Sequence, residues 1–388
     1  MKIYIGCFGS GLGHATRMLE VAGELAKRAA CVEFSSSGEV ASLIEGRGYR
    51  CNRLPLADVR YSESGSFQVK DTLLASPSIL ARAYEQLGSE LANIRRFGPD
   101  AVLSDSALPT VLAGRMLRLP TYTVLNQLNL TSSHGAQRAR SRLLSVGISA
   151  SMGKLWEFSD EVLLPDLPPP YTISEKNLWG SNVGKTRYVG FLTPSDRGAP
   201  DQAAQEFMGD GRAKVFWQVS GPPRTRSALL RMALEYTEAL ADKYAFVVTG
   251  GDPEGSATPR RFKGGWYYGW CGIADVYFES CDIVISRAGH GTIGQAITAS
   301  KPSLLVPIPR QPEQEGNADK AERLGVSLVV PQDELDAEKL RKSLDSLRGD
   351  DYVTRSKRLG EIARGFDARA AIVETVTAAT IRGRQVRR

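Results

Sequence analysis

Two glycine-rich turns, each containing a histidine, are the segments of this sequence whose residue types best suit chemistry. The first runs from Gly9 to His14 and follows a short apolar run at the amino terminus. The second runs from Arg287 to Thr292 and follows the apolar run 281–286. Glycines let a backbone approach a ligand closely, and the free amides at a helix start favour an anion. Two of the three histidines in the 388-residue chain lie in these turns, which favours a functional role for both turns.

The first turn contains two more glycines, Gly11 and Gly13, before it ends in His14. A dinucleotide-binding fingerprint would place a third glycine where this chain has His14. An imidazole at that position would obstruct the close packing of helix on strand that the glycine permits. The turn therefore predicts a loop that contacts phosphate or acceptor and ends in a functional histidine. A helix-capping or core histidine is the alternative.

The second turn predicts a binding site for a diphosphate. Its backbone amides and the hydroxyl of Thr292 would hold phosphate oxygens, and Arg287 would add positive charge. The residues at the start of the predicted helix are Gly289, His290, Gly291 and Thr292. A third turn, at Ser220 and Gly221, follows the apolar run 214–219 and would also face phosphate. A plain strand-end turn is the alternative at both places.

Short apolar runs alternate with helical patterns along the chain, which is typical of parallel sheets covered by helices on both faces. In the first half, strands are predicted at 3–5, 31–35, 100–104, 121–125, 161–164 and 187–191. In the second half, strands are predicted at 214–219, 244–249, 281–286 and 303–307. Such sheets bind ligands at the carboxyl ends of their strands, which is where both glycine turns stand.

A polar stretch with prolines and glycine at 193–202 predicts the boundary between two domains. We expect a first domain at 1–195, a second at 196–365, and a carboxyl-terminal helix with a basic tail at 366–388.

The composition excludes several classes of function. Hydrophobic residues make up 42% of the chain and charged residues 24%, which is ordinary for a globular protein. No run of roughly 18 apolar residues and no long apolar leader is present, so we expect a cytoplasmic protein. The arginines are not interleaved with aromatic residues, which argues against a nucleic-acid partner. The net charge of +6 favours other anionic partners, such as nucleotide phosphates or an acidic membrane surface.

The segment from Pro307 to Ala318 carries the most specific motif. It contains Glu313-Gln314-x-x-Asn317, an acid-Gln-x-x-Asn run behind a proline-rich strand end. Taken with residues 286–295, the segment resembles the donor-binding half of GT-B glycosyltransferases. The similar proteins are the peptidoglycan lipid-intermediate N-acetylglucosaminyltransferases and the UDP-glycosyltransferases of natural-product chemistry. The turn that ends in His14 is similar to the amino-terminal loop of these families.

The resemblance implies an α/β protein of the GT-B fold, in which two Rossmann-like, doubly wound domains face each other across a cleft. The first domain would bind the acceptor, and the second a nucleotide-sugar donor, with a UDP-sugar favoured. The implied contacts with the sugar and the base come from Glu313, Gln314, Asn317, Trp270 and Cys271. Gln295 departs from the similar families, which place a glutamate on the ribose hydroxyls at this point. An amide still hydrogen-bonds a hydroxyl but lacks the charge-assisted strength of a carboxylate.

Both similar families invert the anomeric carbon, which requires a base for the acceptor hydroxyl and stabilisation of the departing diphosphate. We expect His14 to be the base, because an imidazole titrates near neutral pH, with Asp105 orienting the ring. The alternative is that Asp105 is the base and His14 only binds donor phosphate. A plain helix cap would also explain Asp105. No pair of acids with DxD spacing stands in a suitable loop, so we expect no metal and no cofactor besides the nucleotide sugar.

The acceptor loops are predicted at 60–80 and 126–145, with Gln127 and His134 as candidate contacts. Three arginines lie among apolar residues of the second segment: Arg138, Arg140 and Arg142. This pattern would suit a lipid-linked acceptor and peripheral binding at the inner face of an anionic membrane. Ordinary loop packing with solvated arginines is the alternative.

Two other functions stay open on the sequence. A nucleotide-sugar epimerase of the GT-B fold would bind the same donor and consume it without an acceptor. A non-catalytic nucleotide-sugar-binding protein would keep the loops and lack a working base.

Overall fold

The computed structural model describes residues 1–9, 11–55, 76–127, 154–178, 184–194 and 198–386. Residues 60–75 and 128–145 of the predicted acceptor loops, His134 and the three arginines among them, lie outside these ranges. The same is true of the last two residues of the basic tail.

The first sheet has seven parallel strands in the order β3-β2-β1-β4-β5-β6-β7. Its strands are β1 Lys2–Cys7, β2 Cys31–Ser36, β3 Cys51–Arg53, β4 Ala101–Asp105, β5 Thr121–Val124, β6 Glu161–Leu164 and β7 Thr186–Tyr188. Every residue of β4 is buried, as a parallel strand covered on both faces requires. The order reverses between β1 and β4, so the crevice for a ligand opens beyond their carboxyl ends.

Helix α1 (Leu12–Lys27) starts where the first glycine turn ends. Gly11 has a φ of 89°, a left-handed conformation that glycine adopts without strain, and it lets the chain turn from β1 into the helix. The buried side chains of α1 recur every three or four residues, at Ala15, Met18, Ala22 and Leu25. This spacing gives the helix one apolar face toward the sheet, and it sets the direction of the polar residues at its start.

The other helices described in the first half are α2 Gly38–Gly46, α3 Ser76–Phe97, α4 Leu108–Met116 and the short α5 Glu175–Leu178. Helices α2 and α4 pack on strands of the first sheet, whereas α5 contacts the second half, where Glu175 pairs with Lys320.

The second sheet also has seven strands, in the order β10-β11-β9-β8-β12-β13-β14. Its strands are β8 Ala213–Gln218, β9 Tyr244–Thr249, β10 Arg260–Phe262, β11 Gly265–Tyr268, β12 Ile283–Ser286, β13 Ser303–Leu305 and β14 Ser327–Val329. All neighbours are parallel except β10 and β11, which form an antiparallel hairpin at one edge. The helices are α6 Gln202–Gly209, α7 Pro223–Ala239, α8 Ala274–Ser280, α9 His290–Thr298, α10 Pro312–Arg323, α11 Ala337–Leu347 and α12 Asp350–Arg364.

The chain crosses between the two sheets a second time at its end. Helix α13 (Ala368–Val386) returns to the first sheet, where Ile372, Val373 and Val376 are fully buried in the same cluster as α1 and β1. Burial of side chains of this size stabilises a fold by roughly 1.5–3 kcal/mol each. The hydrophobic core of the first half therefore contains side chains from both ends of the chain.

An apolar interface joins the two halves on one side of the molecule. Leu167, Ile173 and Phe191 of the first half pack in one cluster with residues of α9, α10 and α12. Phe191 lies so close to Gly294 of α9 that a Cβ added there would approach its ring within 2.6 Å. This side of the molecule holds the two sheets together, and the polar strand ends face each other beyond it.

Candidate active site

Side chains from the two halves meet between the carboxyl edges of the sheets. Asn126, just after β5, donates through Nδ2 to Oε1 of Glu313 in α10 over 3.2 Å. Glu39 of α2 and Arg226 of α7 approach each other to 3.4 Å. The two glycine turns, which follow β1 and β12, therefore border one cleft.

His14 and Asp105 form a pair on the first-half side of this cleft. Nδ1 of His14, in the first turn of α1, lies 2.8 Å from Oδ1 of Asp105 at the end of β4. The His14 side chain is 20% exposed, whereas Asp105 is fully buried. The ring of Phe8 packs edge-on against the imidazole, with 5.6 Å between ring centroids. Because the carboxylate occupies Nδ1, Nε2 is the ring nitrogen left for a substrate.

Arg17 completes this pair, and sequence reasoning missed it. Its Nε and Nη2 donate to the two carboxylate oxygens of Asp105, and Nη2 also lies 3.1 Å from Nδ1 of His14. Arg17 stands three residues after His14 and so occupies the same face of α1, which is a signal that the sequence contained.

The charges around Asp105 bear on which of the two residues could act as the base. Burial opposes ionisation of this carboxyl, but Arg17 and His14 outweigh the burial and lower its pKa to about 2. Asp105 is therefore an ionised group at neutral pH with little tendency to take a proton. Since it is also fully buried, the geometry favours His14 as the base and Asp105 as the group that orients it.

The second glycine turn opens α9, with Gly289 as the residue before the helix. A Cβ added at Gly289 or Gly291 would meet no atom within 4 Å, and Gly291 is exposed. Thr292 is half-buried beside them. The start of α9 therefore has open space beside its two glycines, which would let a ligand approach the backbone there.

The imidazole of His290 is buried and bonded within the protein, so its side chain has no part in this open space. Its side chain is only 5% exposed, and Nε2 lies 3.0 Å from Oδ2 of Asp166. Asp166 also accepts from the backbone amides of Leu167, Ile173 and Ser174. Of His290, only the backbone amide is placed for an anion; the ring fastens α9 to the loop after β6.

Arg287 also has a different role from the one expected. It is 1% exposed, and its guanidinium donates to the carbonyls of Val306, Pro307 and Thr225 and to Oε1 of Gln332. Burial lowers its pKa to about 10. Arg287 fixes the loops around the turn instead of presenting charge to a diphosphate.

A second arginine, Arg226, lies where the two halves meet. It lies in the first turn of α7, directly after the turn at Ser220 and Gly221, where Gly221 has a φ of 105°. Arg226 is 7% exposed, and its contacts with Glu39 and Asp252 are long, at 3.4 and 3.8 Å. Sequence reasoning named the turn and missed this arginine, since nothing local distinguishes it from Arg224.

The residues predicted to contact the base and the ribose differ in burial. Cys271 is buried in the core cluster that includes Tyr268 and Tyr277, and burial raises the pKa of its thiol to about 12, whereas Trp270 is half-exposed beside it. Gln295 donates through Nε2 to Oδ1 of Asp275 over 2.5 Å. Gln295 stands where the similar families have a glutamate, and the carboxylate of Asp275 lies directly beside it.

The acid-Gln-x-x-Asn run begins α10, and its three polar residues divide in role. Gln314 accepts from the backbone amide of Ile308 over 2.8 Å. Asn317 is fully buried and donates to the carbonyl of Ala288 over 3.2 Å, which ties α10 to the second glycine turn. Glu313 alone is half-buried at the cleft. The run thus supplies one carboxylate for a ligand and two residues that shape its surroundings.

The remaining predicted contacts lie along the first half. Gly11 and Gly13 are exposed with open space beside them, and Gln127 is half-buried next to Asn126. Within the part of the chain that the structure describes, no cluster of three or more metal-binding side chains occurs. No helix among those residues is long and apolar enough to cross a membrane.

Comparison with known proteins places this site in a family context. Residues 229–364 match the glycosyltransferase family 28 C-terminal domain. An uncharacterized glycosyltransferase of Methanosarcina mazei is 28% identical over 382 residues, which cover 96% of this chain and 97% of the relative. A shorter match, 41% identical over 73 residues and 18% of this chain, is to the UDP-N-acetylglucosamine–N-acetylmuramyl-(pentapeptide) pyrophosphoryl-undecaprenol N-acetylglucosamine transferase of Caldicellulosiruptor saccharolyticus.

Solved structures agree on the architecture. The spinosyn rhamnosyltransferase SpnG has a TM-score of 0.71 at 18% identity, over 97% of this chain and 100% of that one. The glycosyltransferase SsfS6 of Streptomyces sp. SF2575, complexed with thymidine diphosphate, has a TM-score of 0.68 at 18% identity, over 97% and 99% of the chains. The predicted GT-B fold and the resemblance to these superfamilies are confirmed. The protein is thus a glycosyltransferase of the two-domain GT-B fold, and part of its second half matches the family 28 C-terminal domain.

Proposed function

We propose that the protein transfers a sugar from a nucleoside-diphosphate donor, preferably a UDP-sugar, to an acceptor hydroxyl with inversion at the anomeric carbon. The observation that carries the proposal is the His14–Asp105 pair at the cleft. A buried, ionised carboxylate fixes one ring nitrogen and leaves the other to accept a proton. Across the cleft, an open helix start and Arg226 supply what a departing diphosphate needs.

In the proposed step, Nε2 of His14 takes the proton of the acceptor hydroxyl while the acceptor oxygen forms a bond to the anomeric carbon. The bond from that carbon to the diphosphate oxygen breaks, and its electron pair leaves with the diphosphate. General-base help of this kind contributes roughly 10²–10⁴-fold to a rate. The imidazolium formed is stabilised by Asp105 and returns its proton to solvent.

On the donor side, the backbone amides from Gly289 to Thr292 and the guanidinium of Arg226 would hold the diphosphate as its charge develops. Arg226 now contacts the half-exposed Glu39, a carboxylate that stands in for an anionic ligand in the cleft. Glu313 would accept hydrogen bonds from the donor sugar. The preference for uridine is supported by the transferase of Caldicellulosiruptor saccharolyticus, whose name specifies UDP-N-acetylglucosamine.

For the acceptor we propose a lipid-linked hydroxyl at an anionic membrane surface on the cytoplasmic side. The support is the net charge of +6 and the arginines of the predicted acceptor segment. Attraction of this kind weakens with salt, because surface charges are screened.

The test is to incubate the full-length protein with UDP-, GDP- and dTDP-sugars and to measure free nucleoside diphosphate. Each donor is used with and without a polar-lipid extract, for wild type and H14A. We expect release that depends on the lipid and is lost in H14A, and the anomeric configuration of the product, read by NMR, tests inversion. Consumption of donor without any acceptor would indicate the epimerase, and binding without turnover in any extract would indicate the non-catalytic protein.

A further inference from the structure

A chain of side-chain hydrogen bonds crosses the cleft from the His14–Asp105 pair to the second domain. Arg17 donates through Nη1 to Oδ1 of Asn126 over 3.2 Å. Asn126 donates through Nδ2 to Oε1 of Glu313, again over 3.2 Å. The proposed base and the carboxylate proposed for the donor sugar are therefore joined through two intervening side chains.

The direction of each bond in this chain is fixed by its partners. A guanidinium can only donate and a carboxylate can only accept. The amide of Asn126 must therefore turn its oxygen toward Arg17 and its nitrogen toward Glu313. Asn126 is buried, so solvent has little access to these bonds. Movement of the Glu313 carboxylate thus acts on the position of the Arg17 guanidinium.

The position of Arg17 in turn affects which nitrogen of His14 carries the proton. When Nη2 of Arg17 donates to Nδ1, that nitrogen must be unprotonated, and Nε2 holds the ring proton. When Nδ1 instead donates to Asp105, Nε2 has a free lone pair. Both contacts are within reach, at 3.1 Å from Nη2 and 2.8 Å from Oδ1 of Asp105. Only the second arrangement lets neutral His14 accept a proton from a hydroxyl.

We propose that Arg17 and Asn126 are positioning residues through which a donor sugar at Glu313 sets the tautomer of His14. When the sugar is bound, Arg17 is drawn toward Asn126 and the proton of His14 rests on Nδ1. This inference depends on the proposed function, because it takes Glu313 as the contact of the sugar. It adds a condition: the base is competent when the donor is in place.

The presence of only three histidines makes this testable by NMR of the imidazole nitrogens in full-length protein labelled with ¹⁵N-histidine. H14Q and H290Q assign the two signals. UDP-N-acetylglucosamine is compared with UDP, which lacks the sugar. We expect both ligands to shift the His290 signal at the diphosphate turn, and only the nucleotide sugar to move His14 toward the tautomer protonated on Nδ1.

The variant N126A breaks the series of hydrogen bonds between Arg17 and Glu313 without changing the charge of the protein. It should abolish the change in the His14 signal on binding of the nucleotide sugar and keep the change in the His290 signal. Should N126A fail to fold, N126D tests the same link, because the new carboxylate accepts from Arg17 but cannot donate to Glu313. A His14 response that persists in these variants, or is missing in wild type while His290 reports binding, would overturn the inference alone. No response of His290 to either ligand would overturn the proposed function.

Kinetics provide a second readout that a purely structural role would not move. We expect N126A to lower kcat about tenfold, with the KM for the acceptor little changed. E313Q lowers kcat by some factor in wild type, and we expect this factor to be smaller by at least about fivefold when E313Q is added to N126A. The effects of two substitutions are not additive when the residues are coupled. R28A is the control for a change outside this network, because Arg28 directly follows α1 and lies on the surface, and it should leave kcat and the effect of E313Q unchanged. Equal losses from E313Q in both backgrounds would contradict the coupling.

Discussion

Two histidine–aspartate pairs in the described part of the chain are built from the same parts but lie in different surroundings. His14 and His290 each stand in the first turn of a helix after a glycine turn, and each packs against a phenylalanine ring, at 5.6 and 5.7 Å. Each also contacts a buried aspartate, Asp105 or Asp166. Their sequence surroundings are alike, so the difference between them lies in three-dimensional packing.

The partners of the two aspartates explain that difference. Asp166 is satisfied by backbone amides and the Ser174 hydroxyl, so its pair with His290 fixes a loop where the two halves pack together. Asp105 is satisfied by the guanidinium of Arg17, and the exposed edge of His14 remains at the cleft. The two pairs therefore differ in exposure: the ring of His290 is enclosed, whereas the ring of His14 keeps an edge at the cleft, as the proposed base requires.

The largest expected effect separates the two histidines. H14Q should lower kcat by roughly 10²–10⁴-fold, the usual contribution of a general base, with little change in thermal stability. H290Q should lower the unfolding temperature and retain most of the turnover of the folded protein, because its ring faces the interior. Turnover measured beside thermal unfolding checks both, and a large kcat loss in a stable H290Q would contradict the structural role.

The next effect concerns stability against pH. The pKa of Asp166 is lowered, since the charge of His290 and several hydrogen bonds outweigh burial. A depressed folded pKa stabilises the protein above the unfolded value, about 3.9, and this stabilisation is lost as pH falls through the folded value. D166N should therefore cost about 3 kcal/mol in the free energy of unfolding at pH 7, as expected for breaking a buried pair.

The difference between wild type and D166N should shrink as the pH falls below about 4, because the carboxyl of the unfolded wild-type chain then binds a proton that the folded protein, with its lowered pKa, does not yet bind. Urea unfolding at pH 7 and pH 3.5 measures it. A difference that stays constant across this range would show that the lowered pKa of Asp166 contributes nothing to stability.

The smallest effect tests which side chain serves the diphosphate. R226A should weaken binding of UDP about tenfold, because hydrogen bonds to a charged group contribute roughly 1.5–3 kcal/mol. R224A is the matched control, since it removes the same charge from an exposed position of the same helix turn. Calorimetric titration with UDP compares the two variants. Equal affinities would show that Arg226 does not bind the diphosphate, and the backbone amides would then be its only proposed contacts.

The sequence predicted the strand–turn–helix units well, because apolar runs and glycines determine local structure directly. Strands at 3–5, 31–35 and 244–249 could be placed in advance, and the strand predicted at 303–307 is present over its first three residues. The edge hairpin of β10 and β11 was missed, because the sequence around Arg260 and Arg261 does not alternate between apolar and polar residues. Their guanidiniums stack on Tyr267 and Trp266, a contact that only the folded structure reveals.

The roles of individual side chains were harder to predict, because they depend on which way each residue faces. Arg287 was expected at the phosphates and is buried, whereas Arg226 was not considered and lies at the cleft. Asn126 gains its importance from Glu313, which is 187 residues away in sequence, and no local pattern signals that contact. Arg17 is the exception, since helical spacing from His14 could have identified it.

The return of α13 to the first sheet has a consequence for building hybrid enzymes from halves of related proteins. A chimaera joined near residue 195 would combine the first half of a relative with α13 of this chain. The side chains of Ile372, Val373 and Val376 would then pack against a core other than the one in which they are buried here. The natural cassette for exchange is discontinuous, and residues 368–386 must travel with the amino-terminal half.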